Sequence, residues 1–229
     1  MTKSSPPPVE RAFTLMEVLV VIAIIIGLAA ILIPSLNSAL VRAKATKDMS
    51  NLRQIGMATQ MYMNDSNGVF PGSATATWAS QLELNRKYLS VWRILESPFD
   101  KRTTSESGDG TTAISYGINS NTYVANVPIS VDKITKPTVF IVFAPAQTSA
   151  TTVSFGGWGN SSAPGVSVLA AASTPGGTAT GGTHQSRTKI NAMCGDWHVE
   201  MMPWSGTGPA FKNTTATGTD PDGAFRWSP

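Results

Sequence analysis

Val18 to Ile33 reads VLVVIAIIIGLAAILI, without one charged or strongly polar side chain. Counted from Phe13, the apolar segment is 21 residues long. At 1.5 Å per residue it spans about 31 Å, which matches a bilayer hydrocarbon core of about 30 Å. A core helix of a soluble domain normally keeps a polar stripe, whereas this run is apolar all round. The segment is therefore expected to sit in a membrane or in an equally apolar assembly. One carboxylate, Glu17, stands at its front edge. A charge inside a membrane helix costs on the order of 2.5 to 3.5 kcal/mol by insertion scales, so Glu17 needs a reason.

Two local explanations compete. An ordinary secretory signal has a shorter apolar core of about 7 to 15 residues and a small-residue cleavage site, for which Ala43-Lys44-Ala45 would serve. The long core, and a helical pattern that continues beyond it, argue against removal there. Thr14-Leu15-Met16-Glu17 also fits a capping box, with Thr14 as cap, Glu17 reaching back to its N–H, and Phe13 and Val18 as hydrophobic staple. An acid in the first turn suits the helix dipole as well. Capping explains a helix start, but not why that start coincides with the beginning of the apolar run.

Composition narrows the rest. With 229 residues and 41% hydrophobic content the chain can build a core. Its net charge is +3, yet only 14% of residues are charged and no Lys/Arg block forms a phosphate-tracking stripe, so no nucleic-acid partner is indicated. The single cysteine, Cys194, excludes an internal disulfide and any Cys-pair zinc ribbon.

Ala12-Phe13-Thr14-Leu15-Met16-Glu17 followed by the apolar run resembles the leader junction of type IV prepilins and type II secretion pseudopilins. In that family a membrane peptidase cuts after a small residue, ahead of Phe, and the new amino terminus is methylated. The resemblance implies cleavage between Ala12 and Phe13, methylation of Phe13, and an assembly role for Glu17. Its acid would meet the charged amino terminus of a neighbouring subunit, a buried pair in which losing one partner costs roughly 3 to 5 kcal/mol. Pro34 matches the family's helix-kinking proline. Ala12 departs from the usual Gly. Implied partners are a prepilin peptidase, other pilin or pseudopilin subunits in a homo- or hetero-oligomeric filament, and an inner-membrane assembly platform. The implied location is a single pass through the inner membrane, with the head in the periplasm or on a surface filament. Charge alone argues the reverse orientation, since Arg42, Lys44 and Lys47 follow the span while Lys3 and Arg11 precede it.

Beyond Pro34 a weakly apolar stripe of Ala45, Met49, Leu52, Gly56, Thr59 and Met63 continues the helix. Asn64-Asp65-Ser66-Asn67-Gly68 then supplies a stop. A helix from Leu15 to Met63 would be about 73 Å long. MSNLRQIGMATQMYMNDSNGVFP is similar to the stem of a subfamily of bacterial prepilin-like proteins of planctomycete and verrucomicrobial lineages. Further islands are Trp78 with LELNRKYL, SPFD at 97–100 where relatives often carry Cys-Pro, and SYGIN at 115–119. HQSRTKINAMCGDWHVE looks like that subfamily's carboxyl-terminal His, spacer, Asp-Gly-His element, built here from His184, Asp196 and His198. The spacer is longer than usual, and Trp197 replaces Gly.

The fold expected is α+β and pilin-like: a long amino-terminal helix, its front half transmembrane, packed on a small antiparallel β-sheet head. The divisions are 1–12 leader, 13–34 transmembrane or filament-core helix, 35–66 amphipathic stem and 67–229 β-rich head. Thr138 to Ala144 reads as a strand and Ile190 to Met202 as a hairpin turning at Gly195-Asp196. Gln147 to Thr183, rich in Gly, Ser, Thr and Ala, reads as loops or an excursion on the surface.

No catalytic residue is expected. Ala113-Ile114-Ser115-Tyr116-Gly117 mimics a nucleophile elbow, but the INSNTYVANVP segment after it does not look helical. Two histidines without HExxH spacing or Cys pairs make no zinc motif. Calcium is the one cation the family suggests, and Asp220 and Asp222 of TDPDG offer oxygens for it; a turn with two solvated carboxylates is the plainer reading. Trp158, Trp197, Trp204 and Trp227 could face a sugar, with packing as their default role. The function expected is a structural filament subunit. The alternative is a membrane-anchored or secreted extracytoplasmic protein, with carbohydrate as one candidate ligand, that does not polymerise.

Overall fold

Helix α1 runs from Leu15 to Asp65 in a computed structural model that describes residues 15–72, 78–83, 87–99, 114–124, 127–145, 154–155, 189–203 and 225. The chain divides into two compact units, Met1–Arg42 and Ala43–Pro229.

The described part of the first unit is the front of α1. From Leu15 to Arg42 every residue except the half-buried Ala29 is exposed, so Val18 to Ile33 presents apolar side chains all round. Pro34 lies inside the helix without ending it. Proline has no N–H to donate back and its ring crowds the preceding turn. Nearby, the Ser35 hydroxyl donates to the Leu32 carbonyl at 2.9 Å and the Ser38 hydroxyl to that of Pro34 at 3.3 Å.

The second unit is built on the rear of α1. Ala45, Leu52, Gly56, Thr59 and Met63 of the expected stripe are buried, while Met49 is half-buried. Ile55 and Ala58 widen the stripe, and so do the polar Asp48 and Asn51. The stop comes where its residues place it: Asn67 and Gly68 adopt left-handed φ of 54° and 76°. The Gly68 N–H returns to the Met63 carbonyl at 2.8 Å, closing the last turn.

Against this face lies a sheet in the order β5-β1-β4-β6-β7, formed by β1 (Tyr116–Asn119), β4 (Ile141–Pro145), β5 (Ser154–Phe155), β6 (Lys189–Cys194) and β7 (Val199–Pro203). β1, β4, β6 and β7 pair antiparallel, with Ile118 opposite Phe143 and Ala192 opposite Glu200. The two-residue β5 adds to β1 in parallel. It lies in the Gln147 to Thr183 stretch read as loops or a surface excursion; two ladder residues leave no alternation to detect. The expected strand at Thr138 begins only at Ile141, because 137–139 form a turn. A small hairpin of β2 (Tyr123–Val124) and β3 (Val127–Pro128) stands apart from the main sheet.

The central strand β4 is buried along its whole length, as a strand covered on both faces should be. The short helix α2 (Trp78–Glu83) sets Trp78 against Phe143 with ring centroids 5.0 Å apart. Leu52, Ile55, Phe70, Trp78, Leu82, Leu95, Tyr116, Phe140 and Phe143 form the centre of the core. This is the α+β, pilin-like architecture, a long amino-terminal helix whose rear half carries a small, mainly antiparallel sheet.

Candidate functional site

Among the described residues, three places carry chemistry. The first is the front of α1. Ala12 and Phe13 lie outside the described residues, whereas Glu17 sits in the first described turn of the helix. The acid and the apolar stretch behind it share one continuous helix. Helix α1 is long and apolar enough to cross a membrane, and its most apolar window has no buried residue. The chain is a membrane-associated α+β protein with a long apolar amino-terminal helix and a small β-sheet domain.

The second place joins the rear of α1 to the sheet. Asp48 is fully buried. Its carboxylate accepts hydrogen bonds from the Tyr116 hydroxyl at 2.6 Å, the Ser97 hydroxyl at 2.7 Å and the Asn191 amide at 2.9 Å. The same Asn191 amide also donates to the Ala45 carbonyl at 3.1 Å, and the Asn51 amide donates to that of Glu96 at 2.9 Å. Burial pushes the Asp48 carboxyl above its ordinary value of 3.8, while donation from Tyr116, Ser97 and Asn191 pulls it back down. Burial, and then the negative charge of Asp48, push the Tyr116 phenol well above its ordinary 10.0. All three donors to Asp48 are neutral. Ser97, Tyr116 and Asn191 come from the SPFD, SYGIN and HQSRTKINAMCGDWHVE segments, so three separate stretches of sequence meet on one carboxylate of the stem. Beside this network a cleft of about 550 Å³ is lined by Lys47, Asn51, Gln54, Arg93, Glu96 and Ser97 among others. The buried Asn51 Oδ1 has no hydrogen-bond partner among the described residues.

The third place is the β6–β7 hairpin. The structure brings Asp196 and His198 together, with Asp196 Oδ1 2.5 Å from His198 Nδ1, and the His198 N–H donating to the same oxygen at 3.2 Å. His198 Nε2 is 3.9 Å from Glu200 Oε2. One ligand atom each from Cys194, His198 and Glu200 lies within 4.8 Å of the other two. Cys194 is buried, His198 is half-buried and Glu200 is exposed. The turn between them is tight. Trp197 takes a left-handed φ of 70°, a backbone region that favours Gly. A Cβ on Gly195 would come within 3.2 Å of the Pro137 carbonyl oxygen.

His184, Asp220 and Asp222 lie outside the described residues, as do Trp158, Trp204 and Trp227. Ser115 is buried and precedes a strand, whereas a nucleophile elbow puts its serine after one. Sequence reasoning missed Cys194 and Glu200 as companions of His198. The signal that could have found them is hairpin register: Ala192 opposes Glu200, and Cys194 is two residues from Ala192, so both project to the same side of the sheet. No protein-family model, no curated protein and no solved structure matches the chain.

Proposed function

We propose that this protein is a structural subunit of a pilin-like filament, of the type IV pilus or type II secretion kind. It would be held in the inner membrane by the front of α1 and released into the filament after leader removal between Ala12 and Phe13. The observation that carries the reading is the exposed apolar stretch Val18 to Ile33, with Glu17 one residue before it, on the same helix whose rear builds the head. Exposed apolar surface of that extent needs lipid or other copies of itself to cover it. A helical assembly meets that need, since a heterologous contact that does not close generates a filament. Glu17 gains a counter-charge there in the freshly cut amino terminus of Phe13 on a neighbouring copy. That pairing selects register more than it adds affinity.

The test is Glu17→Gln in the full chain, followed by membrane fractionation and filament shearing. Membrane insertion is expected to persist and incorporation into filaments to fall at least tenfold. Undiminished incorporation would leave Glu17 as a helix cap and remove the interchain role. The second reading, an anchored head that binds a small polar ligand such as a sugar, draws on the cleft beside Asn51. Monomeric protein in the membrane with an intact leader, together with saturable sugar binding abolished by Asn51→Ala, is the outcome that favours it.

A further inference from the structure

The β6–β7 hairpin assembles the parts of a transition-metal site. Cys194, at the end of β6, offers a soft sulfur on a buried side chain. In the turn, His198 has its Nδ1 engaged by Asp196, so Nε2 is the nitrogen it offers. Glu200, on β7, offers a carboxylate oxygen 3.9 Å from that Nε2. The arrangement of carboxylate to imidazole to metal recurs at metal centres, because the outer carboxylate fixes the ring's tautomer and orientation and raises its basicity. Asp196 is thus already placed as a positioning residue.

From this geometry we infer that Cys194, His198 and Glu200 bind a zinc ion, with Asp196 orienting His198 and the fourth tetrahedral position open to solvent or an external ligand. A thiolate and an imidazole together favour zinc over the hard oxygen-seeking cations, which rules against calcium or magnesium here. Zinc bonds run about 2.0 to 2.3 Å, so tetrahedral ligand atoms lie roughly 3.3 to 3.7 Å apart. The observed separations of up to 4.8 Å therefore close by up to about 1.5 Å. Glu200, exposed and long, supplies its own share of that movement by changing rotamer. Binding displaces the Cys194 thiol proton to solvent. The ion would tie β6 to β7 across the turn where Trp197 holds its left-handed backbone. This site is independent of the filament reading.

The plainer reading of the same residues is that the Asp196–His198 contact only staples the turn. Titration of the full-length protein in detergent micelles with Co²⁺ separates the two, because thiolate–cobalt bonding gives a near-ultraviolet charge-transfer band and tetrahedral cobalt gives intense visible bands. The wild-type protein is expected to show both at one equivalent and to lose them on adding Zn²⁺. Cys194→Ser should abolish the charge-transfer band, and Glu200→Gln should weaken Co²⁺ binding about tenfold or more. Asp196→Asn should keep the band while lowering affinity about 10- to 100-fold, the usual effect of losing an outer-shell partner. Glu200 is exposed, so its variant folds even if Cys194→Ser, in the core, does not. Absence of the charge-transfer band at millimolar Co²⁺ overturns the site. So does a band that survives unchanged in both Glu200→Gln and His198→Gln.

Discussion

Replacing Asp48 probes how the head is locked to its helix. Asp48→Ala removes the acceptor from three buried donors: the Tyr116 hydroxyl, the Ser97 hydroxyl and one N–H of the Asn191 amide, which keeps its bond to the Ala45 carbonyl. Each orphaned group costs about 1 to 3 kcal/mol. The loss is partly offset because an ionised carboxylate, itself costly by several kcal/mol to bury, disappears. The net expected cost is about 2 to 4 kcal/mol, a large share of the roughly 5 to 15 kcal/mol that holds a typical domain. Asp48→Asn is the sharper reagent, since it preserves shape and the oxygen facing Tyr116 and Ser97 while turning its amide toward that of Asn191. Because burial raises the folded carboxyl above 3.8, the folded state binds the proton more tightly than the unfolded chain. The Asp48 contribution is therefore fully present below 3.8 and declines as pH rises through the raised folded value. Thermal unfolding of the full-length protein in micelles, followed by circular dichroism from about pH 4 to about pH 7, measures this. The stability advantage of wild type over Asp48→Asn should shrink with rising pH. Parallel curves for the two proteins would refute the buried, proton-coupled network.

Tyr116→Phe removes the donor 2.6 Å from Asp48 and should cost about 1.5 to 3 kcal/mol at neutral pH, less in acid where the carboxyl is neutral; equal costs at both would contradict the assignment. At Gly56 an added Cβ would come 2.5 Å from Met193 Cε, so Gly56→Val should destabilise by about 1 to 3 kcal/mol. The Gly56→Val/Met193→Ala pair should recover part of that, with a coupling of at least about 0.5 kcal/mol in a double-mutant cycle; strict additivity would show that the two do not touch. Trp197→Gly should be less destabilising than Trp197→Ala by about 1 kcal/mol, because both lose the ring but only Gly relaxes the left-handed backbone. Equal unfolding midpoints for those two variants would remove the strain at 197.

The long helix and the terminal hairpin were legible because their signals are local. An apolar run, a polar stop at 64–68 and alternation across Gly195-Asp196 each act within a few residues. The stem stripe was legible only in its apolar members. Asp48 and Asn51 sit among Lys47, Lys44 and Arg53 and read as a solvated face; their partners lie 45 to 143 residues away in sequence. Buried polar groups of this kind are set by tertiary pairing, which periodicity does not encode. The same holds for Cys194. Metal spacing searched along the chain finds no second ligand of its own kind, whereas the antiparallel register folds His198 and Glu200 back over it. β5 was missed because two residues carry no period.

Mass spectrometry of the amino terminus of protein purified from membranes and from sheared filaments tests the central claim most directly. The account predicts a methylated Phe13 as the first residue in the filament fraction. Filaments built from chains that still begin at Met1, or a mature chain beginning at Thr46, would contradict it.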